Sequence, residues 1–393
     1  MTSTTPHGER VYQPRRQGRE GLALCLSGGG FRAALFHLGA ARRLHELGIL
    51  KQVTTLTAAS GGSTIAAHLA NTWRHWKNGP SVFPAAHWER QIAAPFRRFT
   101  SHNLSTPPSL KGWLPWNWSN NAGIDALATA CEERGLCRRT VHDLPDRPRF
   151  MFCASDLLSG SQWIFEKASD EPWRVATAVA VSSCYPGVFR PFTRSKPQHI
   201  ALVDGGVDDD RAVEPVWQTH KFVLVSDGGD VLRPQWGESL WWSLIRSALV
   251  VWNSMQVVQK RWLLANFTSG LMAGAYWGID SAPVHYQLDG GPTYPGYTPA
   301  LARDLIATIR TNYDVFSDAE AAVLENHGYL LAEAATRTHL AAERQEAPLQ
   351  IPHPGWMSEP KIREALGDSS RQVFLGRGAL HALLRPGPSI VPD

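Results

Sequence analysis

Between Leu22 and Ser60 the chain reads L-A-L-C-L-S-G-G-G-F-R-A-A-L-F-H-L-G-A-A-R-R-L-H-E-L-G-I-L-K-Q-V-T-T-L-T-A-A-S. Leu22 to Leu26 is a short apolar run of buried-strand type. Ser27, Gly28, Gly29 and Gly30 then make a turn that only small residues allow, because glycine tolerates positive φ and close backbone approach. A helix is predicted from about Arg32, with its small face (Ala33, Ala34, Gly39, Ala40) packed close to a sheet and Gly48 as its stop. A second strand, Val53 to Thr57, runs into Ala58-Ala59-Ser60-Gly61-Gly62. The order is strand, glycine turn, helix, strand, sharp serine turn, helix.

Two chemistries use a glycine loop between strand and helix. Gly28, Gly30 and Ala33 satisfy the dinucleotide pattern G-x-G-x-x-G/A. That site also asks for an acid near the end of the second strand to hold a ribose, and this strand ends in Thr57-Ala58-Ala59-Ser60. In acyl transfer, by contrast, the loop supplies backbone N–H donors to a tetrahedral oxyanion, and the second turn presents a serine nucleophile. Such an elbow needs small residues two before and two after the serine. Ala58 and Gly62 meet this for Ser60, whereas Ile65 is too large for Ser63 to compete.

With these residues the chain resembles the patatin-like phospholipase family. The family's G-G-G-x-R loop matches Gly28-Gly29-Gly30-Phe31-Arg32. Its G-x-S-x-G elbow matches Ala58 to Gly62, with alanine for the first glycine, and its D-G-G/A motif matches Asp204-Gly205-Gly206. A further family-like block runs from Val181 to Pro191. Ser27 stands where many members have Asp, and Asp210 where many have Asn. The resemblance covers roughly residues 20 to 230. It implies a three-layer α/β/α sandwich with a mainly parallel central sheet, to which the sequence adds a Trp-rich insertion and a helical C-terminal part.

The 393 residues are 43% hydrophobic and 19% charged, enough for one large α/β domain with insertions or for two domains. Five cysteines, Cys25, Cys131, Cys137, Cys153 and Cys184, form no C-x-x-C, so reduced thiols in a cytosolic protein are the simpler reading. Residues 1–20 lack the apolar segment of a secretory signal and are expected to form a flexible tail. The formal net charge of +4 is too small to imply nucleic acid and helps modestly at an anionic membrane. The expected location is cytoplasmic, peripheral to the inner face of the membrane.

Residues 21–235 are expected to form the hydrolytic domain. Within it, residues 74–125 carry Trp76, Trp88, Trp113, Trp116 and Trp118 as an insertion. That insertion is either a lid or membrane-contacting surface or a helical cap that buries its tryptophans. Strands are expected at 149–155, 199–203 and 222–226, and a helix leads into the block at 181–191, which either lines an acyl pocket or is structural punctuation. Asp208, Asp209 and Asp210 read as a solvated turn or a structural cluster rather than a metal site.

Residues 236–393 are expected to be a mainly helical extension on the same domain. The apolar stretch 238–277 has polar interruptions that rule out a membrane span. It is a core helix, a dimer-forming helix or an interfacial membrane helix. Ser317-Asp318-Ala319-Glu320 is a capping box opening a helix to about His339.

Ser60 needs a base. None of the fifteen histidines stands in a triad context, and His37 and His68 read as packed or surface residues. The resemblance implies a Ser60-Asp204 dyad, with Gly28, Gly29 and Gly30 as the oxyanion hole and Gly62, Gly205 and Gly206 supporting the turns. Arg32 either braces the loop or attracts a lipid phosphate. Asp227, in a second D-G-G at Asp227-Gly228-Gly229, is the rival acid. No metal or organic cofactor is called for. The function implied is a serine acyl hydrolase of phospholipase A or lysophospholipase type. Its partners would be an acyl-ester lipid, a membrane surface and a second copy through the 240–277 region. The alternatives are a regulated membrane-degrading effector, as some relatives in bacterial defence are, and a non-catalytic lipid-binding scaffold.

Overall fold

The computed structural model describes residues 18–77, 84–114, 121–196, 198–229, 232, 237, 239–288, 291, 293–371 and 376–377. Most of the expected N-terminal tail, Trp116 and Trp118 lie outside the described residues, as does the side chain of Trp113. The strands are β1 (Leu22–Leu26), β2 (Val53–Ala59), β3 (Arg149–Asp156), β4 (Ser161–Glu166), β5 (Phe192–Arg194), β6 (Ile200–Asp204), β7 (Phe222–Asp227) and β8 (Ala273–Gly278). The helices are α1 (Gly30–Glu46), α2 (Gly61–Lys77), α3 (Ala85–Trp88), α4 (Ala94–Thr100), α5 (Thr106–Trp113), α6 (Ala122–Glu133), α7 (Val175–Ser182), α8 (Gly206–Asp209), α9 (Leu240–Thr268), α10 (Pro299–Asp304), α11 (Asp318–His339) and α12 (Glu359–Leu366).

The eight strands among the described residues form one sheet in the order β5-β6-β3-β2-β1-β7-β8, with β4 also paired to β3. The run β3-β2-β1-β7-β8 is parallel. The pairs β3–β4, β3–β6 and β5–β6 are antiparallel. After β1 the chain builds β2 and β3 on one side, and β7 and β8 follow on the other. Such a reversal opens a crevice beyond the carboxyl end of the strands, and the glycine loop leaves β1 there.

Side-chain alternation along β1 divides the core. Leu22, Leu24 and Leu26 join the large cluster with α1, α2, α7 and α11. Ala23 and Cys25 face a small one with Val223, Val225 and Leu263 of α9. Helices on both faces give the α/β/α layering and explain why β1 reads as an unbroken apolar run.

The small face of α1 departs from expectation at Gly39, which meets α11 rather than the sheet. A Cβ on Gly39 would lie 1.8 Å from the Glu325 carbonyl oxygen, and one on Gly328 would lie 1.8 Å from that of Phe36. The two helices therefore cross backbone against backbone. Ser317 and Glu320 cap α11 reciprocally, the Glu320 N–H donating to Ser317 Oγ and the Ser317 N–H to the Glu320 carboxylate.

Of the tryptophans expected in an insertion, Trp76 lies on α2 and Trp88 on α3; both are buried, and Trp88 stacks on His45 at 5.1 Å. For these two the cap-core alternative holds. Of the stretch 238–277, Leu240–Thr268 forms α9, capped by Ser239, whose Oγ accepts the Trp242 N–H at 3.0 Å, and Ala273 onward enters β8. Only Gln256 and Leu263 of α9 are buried, which excludes a core helix. Among the described residues no helix is long and apolar enough to cross a membrane. The C-terminal region also supplies β8, whose small residues A-G-A hid its period in the sequence.

Candidate active site

Ser60 sits between β2 and α2 with φ 48°, a left-handed conformation uncommon for a residue other than glycine. Two groups hold this strained turn. The Ser60 N–H donates to Ser182 Oγ at 2.9 Å, and Ser182 Oγ in turn donates to the Cys153 carbonyl at 2.6 Å. At Gly62 any side chain is excluded, because a Cβ would lie 2.2 Å from the Leu26 carbonyl oxygen.

Asp204 arrives on an antiparallel strand, not at the end of a parallel one. Ala59 is opposite Cys153 on β3, and Ala154 is opposite Asp204. Ser60 and Asp204 thus stand level on either side of β3. The Asp204 carboxyl accepts the Gly206 N–H at 2.8 Å, and the Ser60 hydroxyl is near enough to act on its charge. Burial pushes its pKa up to about 6, partly offset by the Gly206 N–H and the Ser60 hydroxyl. Gly205 donates its N–H to the Ser182 carbonyl at 3.2 Å, tying the D-G-G turn to the serine that holds the elbow.

Asp227, the rival acid, is held elsewhere. Its carboxylate accepts Arg211 Nε at 2.7 Å, the Tyr276 hydroxyl at 2.8 Å and the Gly229 N–H at 3.0 Å. Burial opposes ionisation here, but Arg211 and the other donors outweigh it and hold the carboxyl well below the usual range.

The glycine loop is asymmetric. The Gly28 N–H donates to the Asp210 carbonyl at 2.9 Å, so the expectation that it serves an oxyanion is not met here. Gly29 caps α1 and Gly30 opens it, which leaves their N–H groups at a helix N-terminus, where negative charge is favoured. Ser27 tethers the loop from below, its Oγ accepting the Gly228 N–H at 2.8 Å. Arg32 is fully buried and donates to the carbonyls of Ala307, Ile309, Gly228 and Gly229 at 2.6–3.0 Å. That geometry braces the loop and leaves no guanidinium surface for a lipid phosphate.

Asp209 and Asp210 are buried, not solvated. Burial and the neighbouring Asp227 push Asp210 up to about 8, so it is mostly protonated at neutral pH. A neutral carboxylic acid has the shape of the Asn common at this position in the family. Among the described residues no cluster of His, Cys, Asp or Glu fits a metal ion. His37 and His68 are buried, and burial lowers both to about 4. His37 bonds Ser226 Oγ and the Ser27 carbonyl, and His68 bonds the Ile92 carbonyl, so neither serves Ser60.

Sequence reasoning missed Tyr313. Its hydroxyl lies 2.8 Å from Ser183 Oγ and 3.3 Å from Thr64 Oγ1, with the Ser60 hydroxyl in the same neighbourhood. Burial raises its pKa and keeps the phenol protonated. The ring packs edge-on against Phe31 at 4.8 Å, and its backbone carbonyl accepts the Leu104 and Ser105 N–H groups. Nothing in the local sequence around Tyr313 marks it, because tertiary packing alone brings it to the elbow. Val188, Phe189 and Pro191 line a narrow cleft with Gly112, Gly123 and Ile124, whose walls include neither Ser60 nor Asp204, so the block at 181–191 holds the serine turn through Ser182 and walls a separate cleft.

No curated protein matches the chain. Among solved structures it is similar to VipD from Legionella pneumophila, at 13% identity over 82% of this chain and 67% of that one, with a TM-score of 0.36. It is also similar to human GIVD cytosolic phospholipase A2, at 13% identity over 52% of this chain and 42% of that one, again at 0.36. This chain therefore spans less than half of the human enzyme. Residues 24–217, just under half of the chain, match the family model described as patatin-like phospholipase, so this segment is a patatin-like phospholipase domain.

Proposed function

We propose that the chain is a serine acyl hydrolase of lipids in which Ser60 is the nucleophile and Asp204 its base. The observation that carries this reading is the placing of Ser60, on its strained turn beside the glycine loop at the N-terminus of α1, next to a buried Asp204 delivered across β3. Asp204 takes the proton as Ser60 Oγ attacks the acyl carbonyl. The Gly29 and Gly30 N–H groups receive the oxyanion, each worth about 3 kcal/mol in the transition state. Protonated Asp204 then gives the proton to the departing alcohol oxygen. It next activates the water that cleaves the acyl-Ser60 ester, which regenerates the serine. The Tyr313 hydroxyl keeps its proton and orients Ser60 Oγ throughout. Because the base must be ionised, activity rises with pH through about 6 and then levels.

The test is hydrolysis of a soluble short-chain ester and of phospholipid by wild type, Ser60→Ala, Asp204→Asn and Asp227→Asn, with fluorophosphonate labelling of Ser60 alongside. Ser60→Ala and Asp204→Asn should each lose about a thousandfold or more in kcat. An Asp204→Asn enzyme of unimpaired rate would remove Asp204 from the mechanism.

A further inference from the structure

The outer face of α9 is unlike the rest of the surface. Trp241, Leu244, Val251, Met255, Val258 and Trp262 are all exposed, with Trp241 at 75% and Val251 at 62%. They recur at steps of three, four and seven residues and so form one stripe about 30 Å long. Single exposed apolar residues are ordinary, but a continuous stripe of this size marks an interaction surface.

The inner face of α9 is held by polar bonds to the segment that follows Asp204. Trp252 Nε1 donates to the Gly206 carbonyl at 2.6 Å, and Gln259 Nε2 to that of Asp208 at 3.3 Å. Arg211 Nη1 donates to the Gln256 carbonyl at 3.0 Å and to its Oε1 at 2.8 Å. These bonds fix the helix on the catalytic segment while its apolar stripe faces outward.

We infer that this stripe docks on an anionic lipid bilayer, an inference that rests on the lipid-hydrolase reading above. The charge of the helix selects that occupant. α9 contains Arg246, Lys260 and Arg261 and neither Asp nor Glu. Lys260 turns to Asp280 at 3.5 Å, and Arg261 is exposed. A second copy docked face to face would set basic helices against each other with no acid on either. An anionic leaflet supplies the complementary charge. Trp241 and Trp262 place two indoles on the stripe, the side chain favoured at the water–lipid boundary. A helix of this kind lies in the plane of the interface with its apolar face down. Docking would then set the Gly206–Arg211 segment, one hydrogen bond from α9, against the surface that holds the substrate.

The test separates docking from catalysis by using the full chain as Ser60→Ala, co-sedimented with phosphatidylcholine vesicles with and without phosphatidylglycerol. Binding is expected to the anionic vesicles, to weaken with added salt, and to fall about tenfold or more when Leu244, Val251 and Val258 are all changed to Glu. The same triple change in the Ser60-containing protein should leave its rate on a soluble short-chain ester and its circular dichroism unchanged. Failure of wild type to bind either vesicle overturns the inference. So does a dimer in analytical ultracentrifugation that the triple change dissociates, since a second copy then covers the stripe. Neither result bears on Ser60 and Asp204, whose failure would appear only in the hydrolysis assay.

Discussion

The 22-residue α11 and the 29-residue α9 invert the usual relation between side-chain type and burial. α11 carries Glu320, Glu325, Asn326, His327 and Glu333, yet every residue from Glu320 to Thr336 is buried. α9 is rich in Trp, Leu and Val, yet only Gln256 and Leu263 are buried. The difference lies in what each helix meets. α11 crosses α1 at a glycine pair, and its acids are answered there: Glu333 pairs with Arg43 at 2.8 Å, and Glu325 with Arg97 at 2.8 Å and His353 at 2.8 Å. α9 lies on the thin second face of the sheet, where the small cluster around Leu263 gives it little to bury against. A buried polar helix is thus a matter of partners, and an exposed apolar one is a matter of missing partners.

Breaking the α11 side should have the largest effect on stability. Arg43 is fully buried between Glu46 and Glu333 and also donates to the Ala347 and Pro348 carbonyls. Arg43→Ala strands those carboxylates and is expected to cost about 3–5 kcal/mol in urea unfolding. A loss under about 1 kcal/mol would mean that the pairs are solvated and that α11 is less buried than described.

Asp204, on β6 of the sheet, lies between the two regions. Its folded carboxyl titrates near 6, above the ordinary carboxylate value, so the folded state holds the proton more tightly than the unfolded chain does. The resulting penalty is absent below about pH 4, builds as pH rises to about 6, and is full above that. Asp204→Asn should therefore stabilise the protein by up to about 3 kcal/mol above pH 7 and not at all below about pH 4, while activity is lost. Thermal melts across that pH range check the sign.

Tyr313 reaches the site from the segment leading into α11. Tyr313→Phe should lower kcat about tenfold with little change in KM, since the hydroxyl acts on Ser60 and not on substrate binding. An equal rise in KM would instead make it a substrate-binding residue. The smallest effect belongs to α9: Val251→Glu should shift stability by no more than about 0.5 kcal/mol, because that side chain is already in water. A larger loss would show the stripe to be covered and would erase the contrast with α11.

The local elements of the site were legible because the chemistry of the backbone wrote them. The glycine turn after β1, the small neighbours of Ser60, the strand delivering Asp204 and the Ser317 capping box each depend on residues within a few positions. The patatin-like phospholipase domain was legible for the same reason. Tertiary structure decided the rest. It showed that Gly28 gives its N–H to Asp210, that Asp227 belongs to Arg211 and Tyr276, that Asp210 is buried beside Asp227 instead of solvated, and that Tyr313 comes near Ser60 from a distant part of the chain. It also showed that Gly39 meets a helix instead of the sheet, and that the most apolar helix faces outward. None of these could be read from spacing, because each is set by which partner lies opposite in space, and burial, hydrogen bonding and charge all depend on that partner.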